Sequence, residues 1–268
     1  MRTHLESGGA KPHLWPMSMP TLHDRAILRL SPQAEGEDVR GFLQGLVTQD
    51  VTLVQPGAPQ WAGLLTPQGK RLFDFFLWAD GEDILIDCAA DEVDALKKRL
   101  SLYRLRRKIG IERDDMLFVG WTASTSDASQ IRGAAPDPRL PDLGTRFLTR
   151  TAGEDASQAY RVHRLALGVT EGPAELGQDK ILWLETNAAD LNGVSFVKGC
   201  YIGQENTARM NWRQKINRRM VVVPITEADD KRQMAAYPDL GLSVEHRRVE
   251  DIDAARQPAW LQTALSKE

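Results

Sequence analysis

The chain has 268 residues, of which 42% are hydrophobic and 26% charged, and its formal net charge at pH 7 is −3. This composition is typical of a globular protein, and the charge excludes a globally basic nucleic-acid binder while leaving room for local basic patches. No apolar run reaches the roughly 18 residues of a membrane span. The two cysteines supply neither a disulfide framework nor a cysteine-rich metal site. We therefore expect a cytoplasmic protein with no membrane partner.

Residues 1–22 show no periodic pattern and are interrupted by prolines, so we expect a leader that is disordered or that precedes the true start. After it, helical spacing predicts helices at 39–47 and 91–105. Apolar segments bounded by turn residues predict strands at 26–31, 61–65, 72–79 and 84–88. A sheet with packed helices in this order is an α+β unit, which we place at 23–115.

A second α+β unit is predicted at 116–219. It begins with a strand at 116–121 and contains a helix at 160–167. Between them, residues 122–158 are rich in Ser, Ala, Pro, Gly and Asp, with one short strand candidate at 146–149. We interpret this stretch as a surface connection or a degenerate part of the second unit.

The segment 192–209 combines a cysteine with flanking glycines and a nearby cation. Cys200 lies between two glycines, where the backbone can turn tightly and approach a ligand. Lys198 stands two residues before it, and a cation near a thiol favours the thiolate, which is the nucleophilic and metal-binding form. If a helix begins at Gln204, the partial positive charge of its N-terminal end would also favour the Cys200 thiolate. The alternative is that Cys200 is a small buried residue in a glycine turn.

The segment Lys198-Gly-Cys-Tyr-Ile-Gly-Gln-Glu205 resembles the K-G-C-[YF]-x-G-Q-E signature of the folate-binding YgfZ family. Members of this family are relatives of the glycine-cleavage T-protein, an aminomethyltransferase, and assist iron–sulfur cluster assembly. Residues 42–50 are similar to the F-L-Q-G-L-x-T-N-D element of the same superfamily. Segments 64–70 and 184–187 also fall where the family has related motifs, and the resemblance extends over residues 22–225.

The resemblance implies an α+β fold, with a folate-binding T-protein-like core of two sheet-and-helix units and a C-terminal β-barrel. About 43 residues follow Ile225, which is too few for a full barrel. We therefore expect a shortened, barrel-like β segment at 220–268. The implied cofactor is tetrahydrofolate or a derivative, and the implied partners are iron–sulfur carrier or scaffold proteins and client enzymes.

Carried over residue by residue, the resemblance makes Cys200 the functional thiol. It places Glu185 where the superfamily presents an acid to the pterin, a role that suits a carboxylate because it pairs with adjacent N–H donors. The alternative for Glu185 is a helix-end carboxylate in water. Two positions where some family members have tryptophan hold Arg25 and Tyr160, and Tyr160 is available to stack on a pterin. The other residues assigned to the pocket are Asn187, Lys198, Gly199, Tyr201, Gly203, Gln204, Glu205 and Arg209.

One departure from the T-protein pattern bears on catalytic activity. T-proteins take their catalytic carboxylate from an Asp-Asp pair at the strand that corresponds to 72–79, and here only Asp74 remains. This argues against aminomethyl transfer and favours an accessory protein for iron–sulfur cluster assembly or repair. A cluster usually takes four protein ligands, so Cys200 would share it transiently with a partner. No histidine stands at metal-ligand spacing from either cysteine, so we predict no protein-only metal site.

Two other functions stay open. The first is a folate-dependent one-carbon transferase in which Cys200 or Asp74 serves the reaction. The second is a tRNA-modification factor, because a basic stripe that could bind RNA phosphates follows the cysteine motif. The stripe consists of Arg209, Arg213, Lys215, Arg218 and Arg219. Finally, Cys88 ends an apolar strand, and we expect it to be buried and dispensable.

Overall fold

A computed structural model of the chain describes residues 19–124, 131, 133–213 and 215–266, and for Arg213 it describes the backbone alone. Residues 1–18 of the predicted leader lie outside this range. The end of that leader is packed into the fold: Thr21 and Leu22 are buried, and the Thr21 N–H donates to the carbonyl of Glu154 at 2.9 Å. The described helices include none long and apolar enough to cross a bilayer.

The first unit is a five-stranded antiparallel sheet in the order β2-β3-β4-β1-β5, with helices α1 (Val39–Gln44) and α2 (Val93–Arg104). Successive side chains of a strand point to opposite faces, and here both faces are buried. Phe75 packs with the helices, whereas its neighbour Phe76 packs with the second unit. The strands are β1 (Arg25–Pro32), β2 (Gln60–Leu65), β3 (Arg71–Asp80), β4 (Asp83–Ala89) and β5 (Ile109–Arg113).

The second unit contains a smaller sheet in the order β6-β8-β7, formed by β6 (Phe118–Thr122), β7 (Ala135–Pro136) and β8 (Thr145–Thr149). The predicted strand at 146–149 lies within β8. Of the two interpretations of residues 122–158, the described part of the stretch therefore supports a part of the second unit. It also contributes Arg139 and Arg146 to the interior, where both side chains are almost fully buried. Three helical segments complete the unit: α3 (Ser157–Ala166), α4 (Gly172–Leu176) and a 3₁₀ turn at Trp183–Thr186.

The C-terminal part is a three-stranded antiparallel sheet in the order β10-β11-β9. The predicted α+β fold with a shortened C-terminal β segment is confirmed, but this sheet is open, so the expected barrel-like closure is absent from the described residues. Helix α5 (Gln204–Arg213) precedes the sheet and α6 (Ala259–Leu265) follows it. The strands are β9 (Arg218–Pro224), β10 (Gln233–Tyr237) and β11 (Leu242–Arg248).

Candidate functional site

The loop that carries Cys200 is hydrogen-bonded to a segment of the first unit just after α1. The Thr48 hydroxyl donates to the carbonyl of Gly193 at 2.7 Å. The Gln49 side-chain amide donates to the carbonyl of Asn192, also at 2.7 Å. These contacts join two of the sequence motifs, 42–50 and the cysteine motif, into one site.

Lys198, two residues before Cys200, also anchors the loop. Its ammonium donates to the carbonyl of Val47 at 2.6 Å and to that of Gln49 at 2.8 Å. Burial lowers the pKa of Lys198 to about 8, because the charged form is disfavoured away from water. We predicted this cation as an activator of the Cys200 thiol. Its hydrogen bonds go to the first unit instead, so its contacts position the loop.

A third motif meets the same site at the beginning of α5. Gly203 has a φ of +85°, and its Cα lies against the turn 66–69 of the first sheet. The Asn206 side chain donates to the carbonyl of Gln68 at 2.8 Å. Helix α5 begins at Gln204, which meets the condition under which the N-terminal end of a helix would favour the Cys200 thiolate. Tyr201 is buried beneath the loop, and burial raises its pKa to about 12.

The two cysteines of the chain lie in opposite environments. Cys200 is exposed, whereas Cys88 is buried in the sheet of the first unit. Burial raises the pKa of Cys88 to about 12, which keeps this thiol protonated and unreactive at neutral pH. The prediction that Cys88 is buried is confirmed. Cys200 is therefore the thiol that a partner or reagent can reach.

Tyr160, predicted to stack on a pterin, is enclosed. Its hydroxyl accepts hydrogen bonds from Arg139 at 2.6 Å and Arg146 at 3.1 Å, and donates to Glu171 at 2.9 Å. The Trp121 ring lies 5.3 Å from its centroid, and the Arg146 guanidinium lies 5.4 Å from it. With 2% of the residue exposed, the ring has no free face for a ligand.

These groups belong to a balanced cluster of buried charges between the first two units, which we call the central ion cluster. The Asp87 carboxylate accepts from Arg25 at 2.6 Å and from Arg146 at 2.7 Å. Burial opposes ionisation of Glu171, but the surrounding arginines outweigh it and hold the pKa of Glu171 below its usual range. The cluster comprises Arg25, Arg139, Arg146, Arg164, Asp87, Asp137, Glu171 and Glu175.

Asp74, the candidate catalytic carboxylate, is also committed to a buried ion pair. One of its oxygens accepts from Arg71 Nε at 2.9 Å and Nη2 at 2.6 Å. The Gly172 N–H donates to the same oxygen at 3.2 Å. Arg71 also donates a hydrogen bond to the Glu92 carboxylate. Burial raises the pKa of Glu92, although the arginine acts in the opposite direction. The contacts of Asp74 hold α4 and Arg71 together, and its catalytic role stays a prediction.

Glu185 and Asn187 face the C-terminal sheet. A Glu185 carboxylate oxygen lies 3.1 Å from Nε2 of His246 on β11. Asn187 donates to the carbonyl of Met220 at 2.9 Å and accepts from Arg219 at 2.8 Å. The acid expected to meet a pterin therefore meets a histidine of the shortened C-terminal segment.

The residues assigned to a folate pocket consequently lie in three places: the central ion cluster, the edge of the C-terminal sheet, and the Cys200 loop with α5. The turn that carries Glu185 packs on α5, whereas the enclosed Tyr160 ring leaves no stacking platform. The residues present therefore do not fit a folate in the predicted arrangement. Among the described residues, no three His, Cys, Asp or Glu side chains come together as metal ligands.

The remaining predicted residues lie on the Cys200 loop and on α5. Gly199 of the loop and Glu205 and Arg209 of the helix are exposed, and Gln204 is half-buried. The predicted basic stripe is interrupted, because Arg219 is buried with its guanidinium 2.7 Å from an Asp190 carboxylate oxygen. Sequence reasoning could not place this arginine, since its acidic partner lies in a distant segment.

Comparison with known proteins identifies relatives by sequence. No protein-family model matches the chain. The Homo sapiens iron-sulfur cluster assembly factor IBA57, mitochondrial, is 36% identical over 235 residues, which cover 75% of this chain and 65% of that protein. The Mus musculus protein of the same name is 34% identical over 238 residues, covering 76% and 65%. A Neurospora crassa homolog is 30% identical over 244 residues, covering 76% and 56%. The chain thus spans less than two-thirds of the length of these relatives.

A solved structure shows the fold. The glycine cleavage system aminomethyltransferase T from Bartonella henselae superposes with a TM-score of 0.62 at 12% identity, covering 87% of this chain and 78% of that one. The predicted T-protein-like core is therefore confirmed. The expected cytoplasmic location is wrong, because the named relatives are mitochondrial proteins. The predicted resemblance is confirmed, because over about three-quarters of its length the chain is similar to relatives that are named iron–sulfur cluster assembly factors, 75% of it for the human protein and 76% for the mouse protein.

Proposed function

We propose that this protein assists iron–sulfur cluster assembly, with Cys200 as a thiolate ligand that shares a cluster transiently with the cysteines of a carrier or scaffold protein. The observation that carries the proposal is the exposed thiol on an anchored loop, in a chain whose other thiol is buried. A cluster usually takes four protein ligands, so one accessible thiolate requires a partner to supply the rest. The assembly role of the named relatives supports the same conclusion.

The anchoring of the loop fits this role. Hydrogen bonds from Thr48, Gln49 and Lys198 fix the backbone on the N-terminal side of the thiol, and the start of α5 fixes it on the other side. Ordering a ligand before binding reduces the entropy lost when a complex forms. The loop can therefore present a thiolate to a partner with little rearrangement.

The test is formation of a shared cluster. The full chain is mixed anaerobically with a carrier protein that holds a 2Fe–2S cluster on exposed cysteines, and native mass spectrometry and visible circular dichroism follow the mixed complex. We expect the wild type and Cys88→Ala to form a one-to-one complex that contains the cluster, and Cys200→Ser to lose the cluster while keeping the same melting temperature. A Cys200→Ser variant that holds the cluster as well as the wild type would overturn the proposal.

Tetrahydrofolate or a derivative is the cofactor that the resemblance implies, but the enclosed Tyr160 ring does not fit it. We expect titration with tetrahydrofolate to give no saturable change in tryptophan fluorescence, either for the wild type or for Glu185→Ala. A saturable change that Glu185→Ala weakens would contradict this expectation. It would also favour the second candidate function, one-carbon transfer on the T-protein-like fold.

One-carbon transfer and tRNA modification have less support from the geometry. One-carbon transfer would need a free carboxylate, and Asp74 is held by Arg71. Modification of tRNA would need a continuous basic face, and Arg219 is withdrawn from that face into an ion pair with Asp190. Cluster sharing through Cys200 requires neither a free carboxylate nor a continuous basic face.

A further inference from the structure

An apolar patch, formed by Phe196, Val197 and Trp212, is exposed on the Cys200 loop and on α5. Val197 is 94% exposed and Trp212 is 73% exposed. The ring of the half-buried Phe196 meets Trp212 edge-on, with centroids 6.2 Å apart. Single exposed apolar residues are common on protein surfaces, but a joined set marks an interaction site. This set shares its loop with the functional thiol.

Positive charge borders the patch. Arg209 is exposed and forms no ion pair with a described residue, although most other arginines of the described chain do. Arg209 and Trp212 line a shallow groove of about 350 Å³ together with Glu205 and Ala208. A chain of net charge −3 thus keeps an arginine without an ion-pair partner at the exposed tryptophan of the patch.

We propose that this patch is the docking surface for the protein that shares the cluster, and that the partner's face is apolar at its centre and acidic at its rim. The proposal rests on the proposed function and adds the surface and the chemistry of the partner. Trp212 and Val197 supply desolvated contact area, and tryptophan and arginine are the residues that most often dominate binding energy at interfaces.

Charge complementarity points to an acidic partner. Four thiolates outweigh the positive charge of an oxidised cluster core, so the ligated cluster is anionic, and the exposed Arg209 of the patch attracts such a charge. Complementary charge raises the rate of encounter and fixes the register of the two surfaces. The position of the patch on the same loop places Cys200 at the edge of the contact.

A protein explains the patch better than RNA does. The Val197 side chain is aliphatic and offers neither a stacking face nor a hydrogen bond, the two means by which proteins read single-stranded RNA. An exposed valine next in sequence to a phenylalanine that meets an exposed tryptophan matches the apolar centre of a protein interface.

The test measures the dissociation constant of the full chain for the carrier with its 2Fe–2S cluster, at low and at physiological salt. We expect Trp212→Ala to weaken binding about 30-fold, the loss typical of a hot-spot residue. Arg209→Glu should weaken binding mainly at low salt, where exposed charges are least screened. Matched controls are Leu102→Ala, which removes an exposed apolar side chain of α2, and Lys98→Glu, which reverses a charge there; neither should change the affinity.

The outcomes separate this proposal from the function on which it rests. If Trp212→Ala binds like Leu102→Ala while Cys200→Ser still loses the cluster, the docking surface is wrong and the proposed function stands. If the wild type forms no complex with the carrier, both are overturned. Binding of bulk tRNA that Arg209→Glu abolishes, without binding of the carrier, would assign the patch to RNA and overturn the proposal.

Discussion

Replacement of Arg71 by methionine is expected to lower the free energy of unfolding by about 3–5 kcal/mol, the cost of leaving buried charge without its partner. The Arg71 side chain is fully buried, and it holds Asp74 and Glu92 together. Methionine fills much of the volume but provides no cation, so two carboxylates would face each other away from water. Urea unfolding at pH 7, monitored by circular dichroism, measures the loss.

The matched control is Arg256→Met, because Arg256 makes an equally short pair with Glu227 at 2.6 Å on the surface. Exposed pairs contribute about 0–1 kcal/mol, so this variant should unfold almost like the wild type. Without Arg71 the buried carboxyls bind protons more tightly in the folded than in the unfolded chain, so the deficit of Arg71→Met should narrow as the pH falls. Equal losses in the two variants would show that the buried pair adds little to the stability of the fold. A deficit that grows in acid would show that unpaired buried carboxylates are not its cause.

Four strands of the first sheet could be predicted because their signals are local, whereas the fifth, β5, was not predicted. Strand β3 is apolar on both faces, and both faces are buried, with Phe75 toward the helices and Phe76 toward the second unit. The same local reasoning indicated the opposite environments of Cys88 and Cys200. The division of the chain at residues 115 and 219 stays a prediction.

The central ion cluster could not be predicted, because a buried arginine and a solvated one look the same in a sequence. Arg139 and Arg146 lie in a Pro- and Gly-rich stretch that is typical of a surface connection, yet both are buried. Their partners, Asp87, Asp137 and Glu171, come from three separate segments. Charge pairing between separate segments leaves no periodic signal in the sequence.

The candidate site itself was predictable as motifs but not as a geometry. Segments 42–50, 64–70 and 198–205 were each recognised by resemblance, and the structure supplies a physical reason for their joint presence. The first segment accepts the hydrogen bonds of Lys198, and the turn of the second packs on Gly203. The first two segments both contact the loop that carries Cys200 or the helix start that follows it. No single motif predicts these contacts.

Substitution of Gly203 by alanine is expected to destabilise the protein by about 2–5 kcal/mol, the sum of backbone strain and overpacking. A φ of +85° is unfavourable for any residue with a side chain. A Cβ would also lie 2.6 Å from the carbonyl oxygen of Thr66 and 3.1 Å from the Cα of Gly69. Both obstacles are backbone atoms of a turn, so neither can move aside cheaply. Thermal and urea unfolding measure the loss, and the shared-cluster assay should show a weakened complex.

Gly199→Ala provides the control within the same loop. The backbone of Gly199 has no positive φ, and a Cβ there meets no atom within 4 Å, so a change of at most about 0.5 kcal/mol is expected. If the packing of Gly203 on the turn at Thr66 positions the thiol, Gly203→Ala should impair cluster sharing and Gly199→Ala should not. Equal stability of the two variants would mean that the turn and the start of α5 are not in firm contact, and that Lys198 and its neighbours alone hold Cys200 in place.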